Sequence, residues 1–179
     1  SPSGVREEAE RFGEIAAEFG AEGFAWTDVA EDRRALWSMR HNAYHAMKAL
    51  APGKSALTTD VCVPISRLAE AVDRSRVLVD QLGLTVATVG HVGDGNFHCG
   101  VLFDAEDADE MARVNQFCAD LVDLALDCGG TITGEHGIGY GKMKYMDRQH
   151  GPALGAMRAI KAALDPKNIL NPGKVLPEA

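Results

Sequence analysis

Two runs of β-favouring residues, LTVATVG (84–90) and NFHCGVLFD (96–104), flank a short polar segment at 91–95. Valine, threonine and phenylalanine suit a pleated surface, and Asp94-Gly95-Asn96 supplies turn chemistry, so the runs are expected to pair as an antiparallel hairpin. A lone hairpin is marginal in water and needs further strands or covering helices. The chain offers both. ALTTDVCVP (56–64) alternates as another strand, closed by Pro64, and GFAWTDV (23–29) reads as a shorter one.

Helical spacing recurs in five places. The first stripe is Val5, Ala9, Phe12, Ala16 and Phe19, with Ser3 as candidate N-cap and Gly20 as stop. A second helix is expected over 32–50, with Leu36, Ala43, Met47 and Leu50 on one side, until APGK breaks it. A third, with Ser66 as cap and Gly83 as stop, presents Leu68, Val72, Val79 and Leu82. The Asp107–Glu110 spacing resembles a capping box, and behind it Met111, Val114, Cys118, Leu121 and Ala125 run to Gly129-Gly130. The last carries Ala153, Met157, Ile160 and Leu164, stops at Asp165-Pro166, and leaves the turn-rich tail NPGKVLPEA. Helices interleaved with strands and one hairpin predict an α+β fold: an antiparallel sheet with helices packed on one side, plus a C-terminal helical segment.

Composition narrows the function. With 179 residues the chain is long enough for a real core, and a net charge of -8 with no basic stripe argues against a nucleic-acid partner. No apolar run reaches the ~18 residues of a transmembrane segment, and no signal peptide opens the chain. Cys62, Cys99, Cys118 and Cys128 share no metal or redox spacing and read as free buried thiols in a reducing compartment. A cytoplasmic location follows as the expectation, with peripheral contact at the inner face of a membrane left open. The chain opens without methionine, directly into a helical pattern, which predicts a piece of something longer.

The chemistry concentrates in GHVGDGNFH (90–98) and GEHGIGYGK (134–142). His91 and His98 bracket the hairpin turn symmetrically, so both imidazoles can project from neighbouring strands towards one ion. Glu135 is the best candidate for a third ligand, and the glycines at 134, 137 and 139 let the backbone pass close to a bound group. Three ligands would leave an open position, as catalytic ions require. Taken singly each feature has an ordinary reading: a strand histidine, a polar turn, a solvated Glu-His pair. The GxG at Gly137–Gly139 makes a poor phosphate loop, because Lys142 stands where a third glycine belongs.

GHVGDGNFH, GEHGIGYGK and LDPKNILNPGKVLP together resemble the C-terminal part of FAD-linked oxidases of the D-lactate dehydrogenase and glycolate oxidase type, within the vanillyl-alcohol-oxidase fold group. LWSMRHNAYHAM…TTDVCVPISRL is similar to the D-lactate dehydrogenase branch. The resemblance covers nearly the whole chain and implies a ferredoxin-like sheet at its core. It implies His91, His98 and Glu135 as ligands of zinc or manganese and His136 as catalytic base. It implies Asn96 beside substrate and flavin, Asn171 beside the flavin, and Arg40 gripping the substrate carboxylate.

Two of these roles also have a reading from the residues. Arg40 falls between Leu36 and Ala43, where a buried charge would need a carboxylate partner; alternatively its stem packs while its head reaches water. His136 follows Glu135 directly, within reach of a hydroxyl bound at the ion, and histidine is well suited to accept a proton near neutrality. Lys142 and Lys174 read as surface or domain-contact residues without chemistry.

The resemblance implies oxidation of a D-2-hydroxy acid to the 2-oxo acid, with hydride transfer to FAD. Electrons would pass on to a quinone, a cytochrome or an electron-transfer flavoprotein. Thr58 stands where the branch acting on 2-hydroxyglutarate tends to carry lysine, which favours D-lactate and leaves glycolate open. Members of the family place an FAD-binding domain before the region seen here, and residues 1–179 match only the substrate and metal-binding cap domain. The expectation is a chain whose first cap strand is truncated, whose last ~40 residues belong against the flavin domain, and which alone neither holds FAD tightly nor turns over. Three other readings are weighed: a stand-alone metal-binding module, a metal-dependent hydrolase in which His136 activates water, and a non-redox relative such as the ether-lipid synthases. The hydrolase reading leaves Arg40 unused, and the synthases would not be expected to keep the two-histidine loop.

Overall fold

The expected hairpin forms and organises the sheet. The structure, a computed structural model, describes residues 1–178, except the side chain of Pro2, so the last residue of the tail lies outside the described residues. Strand β3 (Thr85–His91) pairs antiparallel with β4 (Asn96–Phe103). The opposite edge of β4 takes two short strands laid end to end, β1 (Ser55–Thr58) and β2 (Val61–Cys62), both antiparallel. The single strand expected from ALTTDVCVP is therefore interrupted at Thr59-Asp60. Beyond β2 an isolated bridge joins Cys62 to Thr131.

All eight residues of β4 are buried. Alternation sends Phe97, Cys99, Val101 and Phe103 to one face, where they join the core formed with α4 (Leu68–Leu82) and α5 (Ala108–Asp127). Val114, Phe117, Leu121 and Ala125 of α5 and Leu68 and Ala71 of α4 complete it. Asn96, His98, Gly100 and Leu102 face the other way. On that side Met47 of α3 (Ala43–Ala49) rests on the strand, and a Cβ at Gly100 would stand 1.9 Å from its sulfur. The α+β class holds, with α4 and α5 on one face of β4 and Met47 of α3 against the other.

Helix ends follow local chemistry with two departures. Asp107 caps α5 by accepting from the N–H groups of Asp109 and Glu110, but Glu110 does not complete the box. Its carboxylate instead accepts from the Asp104 N–H and pairs with Lys54. Ser66 caps nothing, because a 3-10 turn over Ile65–Arg67 leads into α4 without a side-chain cap. Gly83, in the left-handed region, closes α4 as expected.

A second small core gathers Val122 of α5 with Ile132, Met146 and Leu154, the last two from α6 (Met146–His150) and α7 (Ala153–Leu164). The stripe expected on α7 is displaced: Leu154 is buried and Met157 packs, while Ile160 and Leu164 are exposed. All four cysteines are free; Cys99 and Cys128 are buried, Cys62 and Cys118 half-buried. Among the described residues no helix is long and apolar enough to cross a membrane.

The chain divides into two units, Ser1–Ala46 and the remainder from Met47. In the first, α1 (Pro2–Glu18) begins at Ser1, which caps it in place of Ser3. Its predicted stripe forms, yet Val5, Phe12 and Phe19 are exposed. GFAWTDV is not a strand; Phe24 folds back onto Phe12 with ring centroids 5.3 Å apart. The helix expected over 32–50 is two helices, α2 (Ala30–His41) and α3, separated at Asn42, whose Nδ2 donates to the Ser38 carbonyl.

Candidate functional site

The site lies on the face of the sheet away from α4 and α5. His98 is opposite Val89, and His91 is opposite Asn96. The two histidines are therefore not the symmetric bracket expected from spacing. They share a face because Val89 and His91 are two residues apart on β3. Their rings stand edge to face with centroids 5.7 Å apart.

The Cys62–Thr131 bridge starts the following loop beside β2, and Asp60 holds what comes next. The Asp60 side chain is fully buried. Its Oδ2 accepts from the Thr133 hydroxyl at 2.5 Å and from the N–H groups of Gly134, Glu135 and His136 at 2.8, 3.0 and 2.9 Å. Its Oδ1 accepts from Asn96 Nδ2 at 2.8 Å. Burial alone would raise the pKa of this carboxyl, but the converging donors from Thr133, His136, Asn96 and Glu135 outweigh it and hold the group well below the usual carboxylate range. Gly134 is required by close approach, since a Cβ there would lie 2.0 Å from Asn96 Nδ2. Gly137, in contrast, serves through its positive φ of 77°, a turn rather than a contact with a bound group.

This anchoring delivers Glu135 and His136 to the histidines. Glu135 Oε1 lies 3.1 Å from His98 Nε2 and 3.4 Å from His91 Nε2. The His136 ring stacks on His98, with centroids 4.8 Å apart and planes 4° from parallel, and its Nε2 is 3.8 Å from the same oxygen. His98 is oriented from behind. Its Nδ1 is 3.2 Å from the Thr59 carbonyl, an acceptor, so the proton belongs on Nδ1 and the Nε2 lone pair faces Glu135. Two electron-rich atoms facing each other at 3.1 Å require a shared proton or cation.

The donor set fits a cation. Bonds of about 2.0–2.1 Å in a tetrahedral site place neighbouring ligand atoms about 3.3 Å apart, close to both Glu135 separations. Ligand atoms of His91, His98 and Glu135 lie within 4.8 Å of one another. So do those of Asp60, His98 and His136, but both Asp60 oxygens are already occupied by hydrogen bonds. The first set is the better cage.

Asn96 is buried, and its Nδ2 donates to Asp60 Oδ1 and to the Val61 carbonyl. Two acceptors fix the amide's orientation, so its Oδ1 is the buried atom without a donor among the described residues. A ligand hydroxyl or N–H would satisfy it.

The other residues singled out by sequence belong to other elements. Arg40 is on α2, a helix without buried residues, where its guanidinium sits 5.6 Å from the Trp37 ring centroid. The desolvation argument for it does not apply, because the side chain is exposed. Asn171 is exposed in a turn at φ 47°, its Oδ1 3.4 Å from Lys174 Nζ. Lys174 keeps its surface reading, with its ammonium 5.3 Å from the Tyr140 ring centroid. Lys142 does not: it is half-buried and donates to the Asp60 carbonyl at 2.7 Å, with burial pulling its pKa down against the pull of Asp60.

Over residues 1–175 the sequence matches the family described as FAD linked oxidases, C-terminal domain. The chain belongs to this family. It is 47% identical to a probable mitochondrial D-lactate dehydrogenase of Danio rerio, over 91% of this chain and 33% of that protein. It is 43% identical to the mitochondrial D-lactate dehydrogenase (cytochrome) of Arabidopsis thaliana, over 97% of this chain and 31% of that protein. The glycolate oxidase subunit GlcD of Bacillus subtilis is 36% identical over 96% of this chain and 36% of that subunit. This FAD-linked oxidase C-terminal domain thus spans about a third of the length of the curated relatives it matches.

Sequence reading of this C-terminal domain missed Thr59, Asp60, Thr133 and Lys142. A signal for one was present: an aspartate within the β-rich run LTTDVCV is a charge headed for a buried face, and such a charge needs several donors. Nothing in the sequence marked Lys142 as the residue that would clamp its carbonyl.

Proposed function

We propose that this chain is the substrate- and metal-binding part of an FAD-dependent dehydrogenase that oxidises a D-2-hydroxy acid, D-lactate in preference to glycolate, to the 2-oxo acid. The observation that carries the proposal is the meeting of His91, His98 and Glu135 at the spacing of one cation's ligands, with His136 stacked at its edge. Membership of the FAD-linked oxidases and the likeness to proteins named D-lactate dehydrogenase support the reaction class.

Zinc or manganese, when bound, would polarise the substrate hydroxyl, and FAD, when bound, would take the hydride. Every other task falls to side chains. His91, His98 and Glu135 hold the cation, and the Thr59 carbonyl keeps His98 Nε2 turned towards it. His136 accepts the hydroxyl proton on its ring nitrogen; its backbone is pinned to Asp60 while the ring stays half-exposed to the reacting group. Asn96 Oδ1 orients the bound hydroxy acid or the flavin by accepting a hydrogen bond. Arg40 and Asn171 keep the roles implied by resemblance, carboxylate grip and flavin contact.

The test is dye reduction by the FAD-loaded protein that contains this chain, with D-lactate, glycolate and D-2-hydroxyglutarate as substrates. His136→Ala should lower kcat by about 10²–10⁴-fold with FAD still bound, and Arg40→Ala should raise KM as well as lower the rate. Unchanged kinetics would remove either residue from its role. Cation binding with no dye reduction from any of the three acids would leave a metal-binding module without redox chemistry.

A further inference from the structure

We propose that Asp60 is a positioning residue: it ligates nothing, and it sets the geometry of Glu135, His136 and Asn96 together by gathering their donors around one carboxylate. This rests on the cation reading above and assigns the residue that makes the cage before any cation arrives.

The argument is one of donor count. Asp60 Oδ2 takes three consecutive backbone N–H groups, Gly134 to His136, and the Thr133 hydroxyl. Successive N–H groups turned to one side form a concave anion seat, and here the anion is a side chain of the same protein. The loop so formed is otherwise poor in restraints: Gly134, Glu135, His136 and Gly137 are exposed, and Gly137 has positive φ. Oδ1 takes Asn96 Nδ2, which turns Asn96 Oδ1 to the side lacking a donor. Lys142 fixes the Asp60 carbonyl, so the anchor is itself held. Asp60, His98 and His136 are close enough to suggest a metal, but Oδ2 is taken by four donors and Oδ1 is held by Asn96, so the carboxylate is turned to its loop and would have to give up these bonds to act as a full ligand.

The decisive experiment compares Mn²⁺ affinity, read by the electron paramagnetic resonance of the free ion, in the wild-type chain, Asp60→Asn, Thr133→Val and Glu110→Gln. Glu110 is buried in its pair with Lys54 on another part of the fold and serves as a control for lost stability alone. Asp60→Asn should weaken Mn²⁺ binding roughly 10- to 100-fold and lose hydrogen-exchange protection at the amides of 134–136. Thr133→Val, with one donor removed, should weaken binding less, and Glu110→Gln not at all. Wild-type affinity in folded Asp60→Asn overturns the proposal; if that variant does not fold, wild-type affinity in Thr133→Val does. If wild-type protein binds no Mn²⁺ or Zn²⁺, the cation reading fails instead. The amides of 134–136 then decide the anchoring: retained protection in Asp60→Asn, or in Thr133→Val where Asp60→Asn is unfolded, overturns it.

Discussion

At the scale of single residues, the centre of the site depends on a substitution within the β ladder. Thr59 stands opposite Cys99 along an unbroken register, yet the Cys99 N–H goes to the Thr59 hydroxyl at 2.9 Å rather than to its carbonyl. That exchange releases the Thr59 carbonyl to His98 Nδ1 and fixes which imidazole nitrogen faces Glu135. Thr59→Val preserves branching and removes only the hydroxyl, and with it the acceptor for the Cys99 N–H. The variant should lose about 1–3 kcal/mol in urea denaturation, the cost of a buried donor left unsatisfied. Where the backbone carbonyl at position 59 re-enters the ladder instead, stability recovers and cation affinity falls with the loss of the His98 partner. A variant unchanged in both would refute this account of the ladder. That His91, His98 and Glu135 meet was legible from residue type and their glycine-rich segments, although the symmetric bracket inferred from spacing does not form. Asp60 was harder to read, since its partners 133–136 lie more than seventy residues away and only the Cys62–Thr131 bridge brings them near.

At the scale of elements, what packs on itself was readable and what depends on distant partners was not. The hairpin, α4 and α5 follow from alternation, stripes and stop signals because each buries one face against the others. GFAWTDV misled because aromatic, β-favouring residues met no neighbouring edge, and Phe24 closed on Phe12 instead. The C-terminal turn illustrates another kind of element, built on one acid. Asp165 ends α7, pairs with Lys161, and accepts the N–H groups of Ile169 and Leu170. The Lys161 ammonium, opposed by burial and aided by those amides, lowers its pKa from 3.8 to about 2. A depressed folded pKa means the unfolded turn binds the proton more readily, so the stabilisation is full above the ordinary value and lost as pH falls through the folded one. On acid titration the Ile169 and Leu170 amide resonances should move with a midpoint near 2. A midpoint at the ordinary carboxyl value would show that Asp165 does not hold this turn, and Asp165→Asn should abolish the transition.

For the molecule as a whole, apolar burial is distributed unevenly. Every buried hydrophobic residue described lies between Val61 and Leu154, while α1 and α2 carry large apolar side chains such as Val5, Phe12, Trp37 and Met39 in exposed positions. The helical stripe at 5, 9, 12, 16 and 19 was read correctly as periodicity, but periodicity reports which residues can share a face, and burial depends on what that face meets. Most helical stability in proteins comes from packing an amphipathic face, and the 17-residue α1 leaves the large apolar members of its face exposed. Stability should therefore divide along the sequence. Amides of β4 and α5 should exchange only through global unfolding, and those of α1 through local opening at little cost. Hydrogen exchange of the 179-residue chain, followed peptide by peptide, tests this directly. Phe117, fully buried on α5, sharpens the test: Phe117→Ala should cost about 3–5 kcal/mol, accelerating exchange across β4, α4 and α5 while leaving α1 unchanged. If α1 is protected as strongly as β4, or Phe117→Ala accelerates both alike, one cooperative unit spans the chain and the division fails.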